Sequence, residues 1–342
     1  MKNKTSSITR YIIVYVILIG LMFLALFLNV NTGSVKISFI KTLQIVFAGA
    51  YQGSGDSIII MKIRLPRLLL AGILGGALSL SGYLLQTFFR NPIAGPFVLG
   101  ISSGSKMFVG FAMIIMTKFI GQTPLFLQVV AAFIGALFSM MIVLIFSKKV
   151  KNMAMLLVIG VMIGYICTAI TDFFITFANE SDIVNLTHWS MGSFSGAKWD
   201  GVLFSAIFVF ILLVITFCLS KPIGAYELGE DYAQSMGINV KFFRKIIILL
   251  SSLLSACVAA LVGPISFVGI AVPHITKKLL NTTKPIIAIP AVFLTGSVFV
   301  MLCDLIARTL FSPTEMAIGT VTSIIGAPIV IILLIKRHGK RD

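Results

Sequence analysis

Lys221 to Lys245, KPIGAYELGEDYAQSMGINVKFFRK, is a charged island between two long apolar runs, and the fold turns on how it is read. Its centre, Leu228 to Asn239, reads as one short helix and a stop: Glu230 and Asp231 favour a helix N-terminus, and Gly237 with Asn239 favours its end. A polar helix this short is unstable alone in water. It must rest on the membrane part of its own chain or on a soluble partner.

Outward from the island the chain is apolar. Of 342 residues, 58% are hydrophobic and 11% charged, and the mean hydropathy is +1.07. Those values exclude an ordinary globular protein. A span takes about 20 apolar residues, and this template fits Tyr11–Val30, Leu65–Phe89, Phe97–Met116, Leu125–Phe146, Met153–Phe177 and Val202–Leu219 before the island. After it come Ile246–Val262, a proline-interrupted Ile265–Leu280, Ile286–Leu305 and Ala317–Ile335. The expectation is an all-α polytopic membrane protein of about ten spans, one transmembrane domain over residues 1–342. The opening MKNKTSSITR resembles a signal-peptide head, but the run after it is long and lacks an A-x-A site, so it reads as a retained first span.

The formal charge of +16 is explained by placement. With ten spans and a cytoplasmic N-terminus, one set of loops carries Lys2, Lys4, Arg10, Arg90, Lys148, Lys149, Lys151, Lys221, Lys241, Arg244, Lys245, Lys277, Lys278, Lys284, Lys336, Arg337, Lys340 and Arg341. The other set keeps mainly Lys36, Lys41, Lys62, Arg64, Arg67, Lys118, Lys198 and Arg308. This is the positive-inside bias, with both termini cytoplasmic and no nucleic-acid surface. Cys167, Cys218, Cys257 and Cys303 lie in apolar runs without CxxC spacing and read as free buried thiols. With no paired histidines or carboxylate cluster, neither a metal site nor a cofactor is expected.

Gly72, Gly75, Gly76, Ser79 and Gly82 form a near-helical stripe, as do the pairs Gly100/Gly104 and Gly160/Gly164, which suits close helix packing in lipid. PFVLGISSG (96–104) and SFVGIAVPH (266–274) are weakly alike, and the loop count gives them opposite orientations. An inverted repeat with broken helices at matching positions would leave this trace.

These residues together resemble the FecCD family of permeases, the membrane subunits of ATP-driven importers for ferric siderophores, haem and cobalamin. The carriers are Arg64-Leu65-Pro66-Arg67, LSLSG (78–82), Arg90-Asn91-Pro92 with Ala94, LGISSG (99–104), Met191-Gly192-Ser193 with Trp199, LGEDYAQSMGI (228–238), FVGIAVPH (267–274), Asp304 with Arg308, and Gly326-Ala327-Pro328. The resemblance implies a type II importer with two permease subunits, identical or paralogous, two cytoplasmic ATPases and an extracytoplasmic binding lipoprotein, in a bacterial cytoplasmic membrane. It implies that residues 221–245 are the coupling segment, with Leu228, Gly229, Glu230, Ala233 and Gly237 seated in the ATPase. Met236 stands where the family more often has Leu. An iron–siderophore complex is the expected cargo, with haem and cobalamin as alternatives.

No Walker A sequence is present, and GISSGSKM (100–107) has Ser105 where that motif needs glycine. The chain is therefore not expected to be an enzyme. Arg64, Arg67 and Arg308 read either as arginines snorkelling to the headgroups, Arg308 pairing with Asp304 one turn earlier, or, by the resemblance, as docking sites for binding-protein carboxylates. Lys106 falls near the bilayer midplane, where an ammonium needs a polar partner or a cavity. It is either paired or a cationic spot on the substrate path. Asn91 and Ile93 sit on a turn that is either an ordinary tight turn or, by resemblance, part of the inner gate. Asp172 reads as solvated near a span end, His188 and His338 as exposed, His274 as structural, and Trp189 with Trp199 as interface anchors. Two rival classes stand beside this reading: an ion-coupled secondary transporter, disfavoured by sparse intramembrane acids, and a non-transporting scaffold.

Overall fold

The glycine stripe lets one helix run through the middle of the bundle. That helix, α4, spans Leu65–Phe89 in the computed structural model and has the most buried window of the spans. The structure describes residues 2–338 apart from 34, 36, 50, 52, 98, 117–123, 148, 151 and 152. Lys36, Lys118, Lys148, Lys151, Lys340 and Arg341 of the charge pattern lie outside the described residues, as do the side chains of Lys2, Lys4, Lys336, Arg337 and His338.

In chain order the helices are α1 (Lys2–Asn31), α2 (Phe39–Ala48) and α3 (Gly55–Ile58), which runs through a π-helical turn (Ile59–Arg64) into α4. Then come α5 (Ile101–Gly110) with a π-helical extension (Phe111–Met116), α6 (Leu125–Ser147), α7 (Met153–Ile175), α8 (Glu180–Met191) and α9 (Trp199–Cys218). The island holds α10 (Ser220–Leu228) and α11 (Glu230–Ser235), followed by α12 (Val240–Val262), α13 (Val268–Leu280), α14 (Pro285–Thr309) and α15 (Ile318–His338). Among the described residues seven helices are long and apolar enough to cross a membrane: α1, α3–α4, α6, α7, α9, α12 and α14. Of the remaining expected spans, α5 with its extension (Ile101–Met116) and α13 are shorter. α13 has 13 residues, about 20 Å of helix, too little for a hydrocarbon core of about 30 Å.

The closest packing is made by the small residues. A Cβ on Gly75 would stand 2.6 Å from the Gly296 carbonyl oxygen of α14, and one on Gly82 would overlap the Gly269 carbonyl of α13. The second central helix, α12, runs antiparallel to α4. Where they cross, Ser81 Oγ donates to the Ser251 carbonyl at 2.8 Å and Ser251 Oγ donates to the Ser81 carbonyl at 3.1 Å. This reciprocal pair is what a two-fold relation between inverted halves produces. The packing follows suit: α4 lies against α14 and α13, α12 against α6 and α5. The two similar stretches also match in form, since Gly100 (φ 74°) and Phe267 (φ 63°) are both left-handed just before α5 and α13.

Three expectations need correction. The segment from Leu228 to Asn239 is not one helix: Gly229 (φ 149°) breaks α10 from α11. α11 ends as expected at Gly237, whose N–H reaches Gln234 O while Ile238 N–H reaches Ala233 O. Asn239, however, starts the next helix, its side chain accepting from Phe242 N–H as N-cap of α12. Cys218 is exposed; Cys167, Cys257 and Cys303 are buried.

Candidate functional site

Two polar clusters sit at opposite ends of α4. At its start, the guanidinium of Arg67 uses one edge for Asp304, with Nε 3.0 and 3.2 Å from the carboxylate oxygens and Nη2 at 2.9 Å. Its Nη1 donates to both Glu315 oxygens at 3.0 Å. Arg64 donates to the Val30 carbonyl at 2.7 Å and to that of Val35. Arg308 donates to the Thr32 carbonyl and to Asn29 Oδ1, each at 2.9 Å, and Asn29 is itself held by donating to Ala25 and Met301 carbonyls. The end of α1 and the stretch after it thus supply carbonyls; the cations come from the π-helical turn (Arg64), α4 (Arg67) and α14 (Arg308), and the acids from α14 (Asp304) and the stretch after it (Glu315).

This corrects the snorkelling expectation. Arg64 and Arg67 are buried, 5% and 8% exposed, and a buried cation needs fixed partners rather than headgroups. The expected within-helix pair is present but long, Arg308 Nε lying 3.9 Å from Asp304, while Arg67 makes the shorter contacts to the same carboxylate. Nearby, Trp199 is more than an anchor, since its Nε1 donates to the Met61 carbonyl at 2.7 Å beside the π-helical turn.

At the other end of α4 the island is pinned down. Glu227 Oε1 accepts from Thr87 and from Lys277 Nζ, both at 3.1 Å, tying α10 to α4 and α13. Tyr226 donates to Glu230 at 2.8 Å, Arg244 pairs with the same carboxylate, and the Arg90 guanidinium lies 5.4 Å above the Tyr226 ring. Burial, with Glu230 accepting its proton, pushes the Tyr226 phenol up to about 12, so it stays a donor. Burial would raise the Glu230 carboxyl, but hydrogen bonds from Arg244 and Tyr226 outweigh it and hold the group below its usual value. Between these pins, Leu228 (73% exposed) and Met236 (63%) stand out, as do Tyr232 and Phe242, while Ala233 is fully buried. Gln234, Gly237, Ile238, Asn239, Val240 and Lys241 line an open hollow of about 410 Å³ beside them.

Lys106 is half-buried on α5, on one face with the half-buried Ser102 and Ser103. Asn91 makes a tight turn, its Oδ1 accepting from Ile93 N–H at 3.1 Å, and Ile93 is exposed. Asp172 and His188 are exposed, and His274 is half-buried on α13. Among the described residues no group of three His, Cys, Asp or Glu side chains could hold a metal ion. The sequence reading passed over Asn29, Thr87, Tyr226, Glu227, Lys277 and Glu315. Only Tyr226 and Glu227 carried a signal, by lying inside the island.

Residues 20–336 match the model of the FecCD transport family. The chain belongs to that family. The vitamin B12 import system permease protein BtuC of Salmonella typhimurium is 32% identical to this FecCD protein over 293 residues, 86% of this chain and 88% of its own. The protein of the same name from Escherichia coli O6:H1 is 32% identical over 316 residues, 92% and 93% of the two chains. A solved structure in an inward-facing conformation, assigned to the metal-chelate type of ABC transporter, superposes with TM-score 0.82 at 28% identity, covering 95% of this chain and 99% of its own. This FecCD chain is therefore the multi-pass, all-helical permease subunit of an ABC importer, not itself catalytic, and that role implies ATPase and binding-protein partners.

Proposed function

We propose that this permease imports a metal–organic chelate delivered by an extracytoplasmic binding protein, driven by two ATPase subunits pressing on the island from the cytoplasm. The observation that carries the reading is the island itself. Leu228 and Met236 are presented to solvent on a segment otherwise polar, while Glu227 ties that segment to α4 and α13. An apolar surface so exposed and so firmly backed suits a soluble partner that pushes. Leu228, Gly229, Glu230, Ala233 and Gly237 would form or shape that contact. Both termini would then be cytoplasmic and the arginine cluster extracytoplasmic, where Arg64, Arg67 and Arg308 would meet carboxylates of the binding protein. A second permease subunit, identical or paralogous, would complete the pathway, with Asn91 and Ile93 at its inner gate.

For the cargo we take an iron–siderophore complex first. Lys106 with Ser102 and Ser103 forms a half-buried polar stripe on α5, which suits an anionic chelate. Cobalamin is the second reading, favoured by the vitamin B12 import permeases that are 32% identical to this chain.

The test is uptake into proteoliposomes holding this permease, its ATPase and its binding protein, offered labelled ferric siderophore or labelled cobalamin. ATP-dependent uptake of the iron complex, reduced several-fold in Lys106→Met, is expected. Uptake that persists without nucleotide but collapses with an ion gradient would favour a secondary transporter. Selective uptake of cobalamin would replace the iron reading.

A further inference from the structure

The two acids on Arg67 differ in freedom. Asp304 is locked in α14 with its side chain 2% exposed, and it alone fills the Nε/Nη2 edge of the guanidinium. Glu315 sits on the stretch between α14 and α15, its side chain 42% exposed, with both oxygens on the single remaining nitrogen Nη1. Arg67 therefore has one permanent anion and one that can swing into solvent. The surrounding charge is unbalanced: Arg67 and Arg308 share the carboxylates of Asp304 and Glu315, while Arg64 adds a third guanidinium held by main-chain carbonyls, and Asp56 is paired with Lys41. Arg308, its side chain 10% exposed, also keeps a buried Nε without a hydrogen bond among the described residues. Withdrawal of Glu315 would leave Nη1 of Arg67 open, with Arg308, which shares Asp304 with it, still unfilled at Nε. A cluster in this state attracts an anion strongly.

We infer that Glu315 is a placeholder: it occupies Arg67 in the undocked permease and yields that position to a carboxylate of the binding protein when the two proteins meet. The inference rests on the docking reading of the arginines given above. The exchange conserves charge, since one carboxylate replaces another on the same nitrogen. Its consequence is a weakened, more easily reversed complex, because each docking event must first release Glu315. It also keeps Arg67 satisfied while no partner is present.

Binding of the labelled, substrate-free cognate binding protein to the purified full transporter in nanodiscs tests this. Glu315→Gln is expected to bind about three- to ten-fold tighter with unchanged thermal stability. The gain should vanish when Arg67→Gln is added. Glu180→Gln, which removes an exposed acid of α8, controls for net charge and is expected to leave affinity unchanged. Unchanged or weaker binding by Glu315→Gln, with Arg308→Gln weakening it, would overturn the placeholder and leave the docking reading standing. Wild-type binding by both Arg308→Gln and Arg67→Gln would overturn the docking reading itself. An equal gain in Glu180→Gln would reduce the effect to bulk charge and also overturn the placeholder.

Discussion

The two ends of α4 use the same chemistry at different depths. At the arginine end, Arg67 and Asp304 are 10% and 2% exposed in their side chains, and main-chain carbonyls at the end of α1 and just after it hold the other two arginines. At the island end the ion pairs are wetter: Arg244 and Glu230 are 22% and 30% exposed, Lys277 and Glu227 23% and 18%. A buried pair costs heavily when one partner is lost, whereas an exposed pair is worth little and reforms readily. One end is thus a fixed bracket around the Arg67–Asp304 pair, with Glu315 its exposed member. The other is a set of pins that can shift under load while α4 itself stays intact.

That contrast can be broken by mutation. The largest effect is expected from Asp304→Ala, which strands the Arg67 guanidinium; loss of about 3–5 kcal/mol should appear as a large drop in melting temperature of the purified protein. Glu227→Gln takes the negative charge from the acceptor shared by Thr87 and Lys277. It should cost about 1.5–3 kcal/mol and lower uptake per ATP hydrolysed, because the island would no longer pull on α4 and α13. A stable Glu227→Gln transporter with normal stoichiometry would end the idea of the island as a lever.

The smallest effect belongs to Glu230. Its carboxyl is held below its ordinary value of 4.5, so the stability it contributes is present above that pH and lost as pH falls through the lowered folded-state pKa. Hydrogen exchange of α11 should therefore separate wild type from Glu230→Gln at pH 6, with the gap closing as pH drops below about 4. A gap that stays constant down to pH 3 would show that the carboxylate's charge is irrelevant to the island.

Much of this architecture was legible in advance. Spans announce themselves because desolvating about 20 apolar residues is a local property of the chain, and every expected apolar run from Tyr11–Val30 to Ala317–Ile335 contains a helix. The glycine stripe likewise pointed to close packing, though not to Gly296 and Gly269 as its partners. Helices α2 and α8 went unread, being too short or too polar for the span template. The break inside the island was also hidden. Glu230 marked a helix start, but Leu228, a good helix former, reads as part of that helix and not as the end of another across Gly229 (φ 149°).

The sequence by itself determined a multi-span helical permease with a charged island after the sixth apolar run, because hydropathy and charge are summed over neighbours along the chain. Only the tertiary structure decided which charge meets which. Arg67 finds Asp304 across 237 positions and Glu315 across 248, and Thr87 finds Glu227 across 140. Such pairings follow from how whole helices pack, and helix packing depends on shape over the entire bundle rather than on any local stretch of residues.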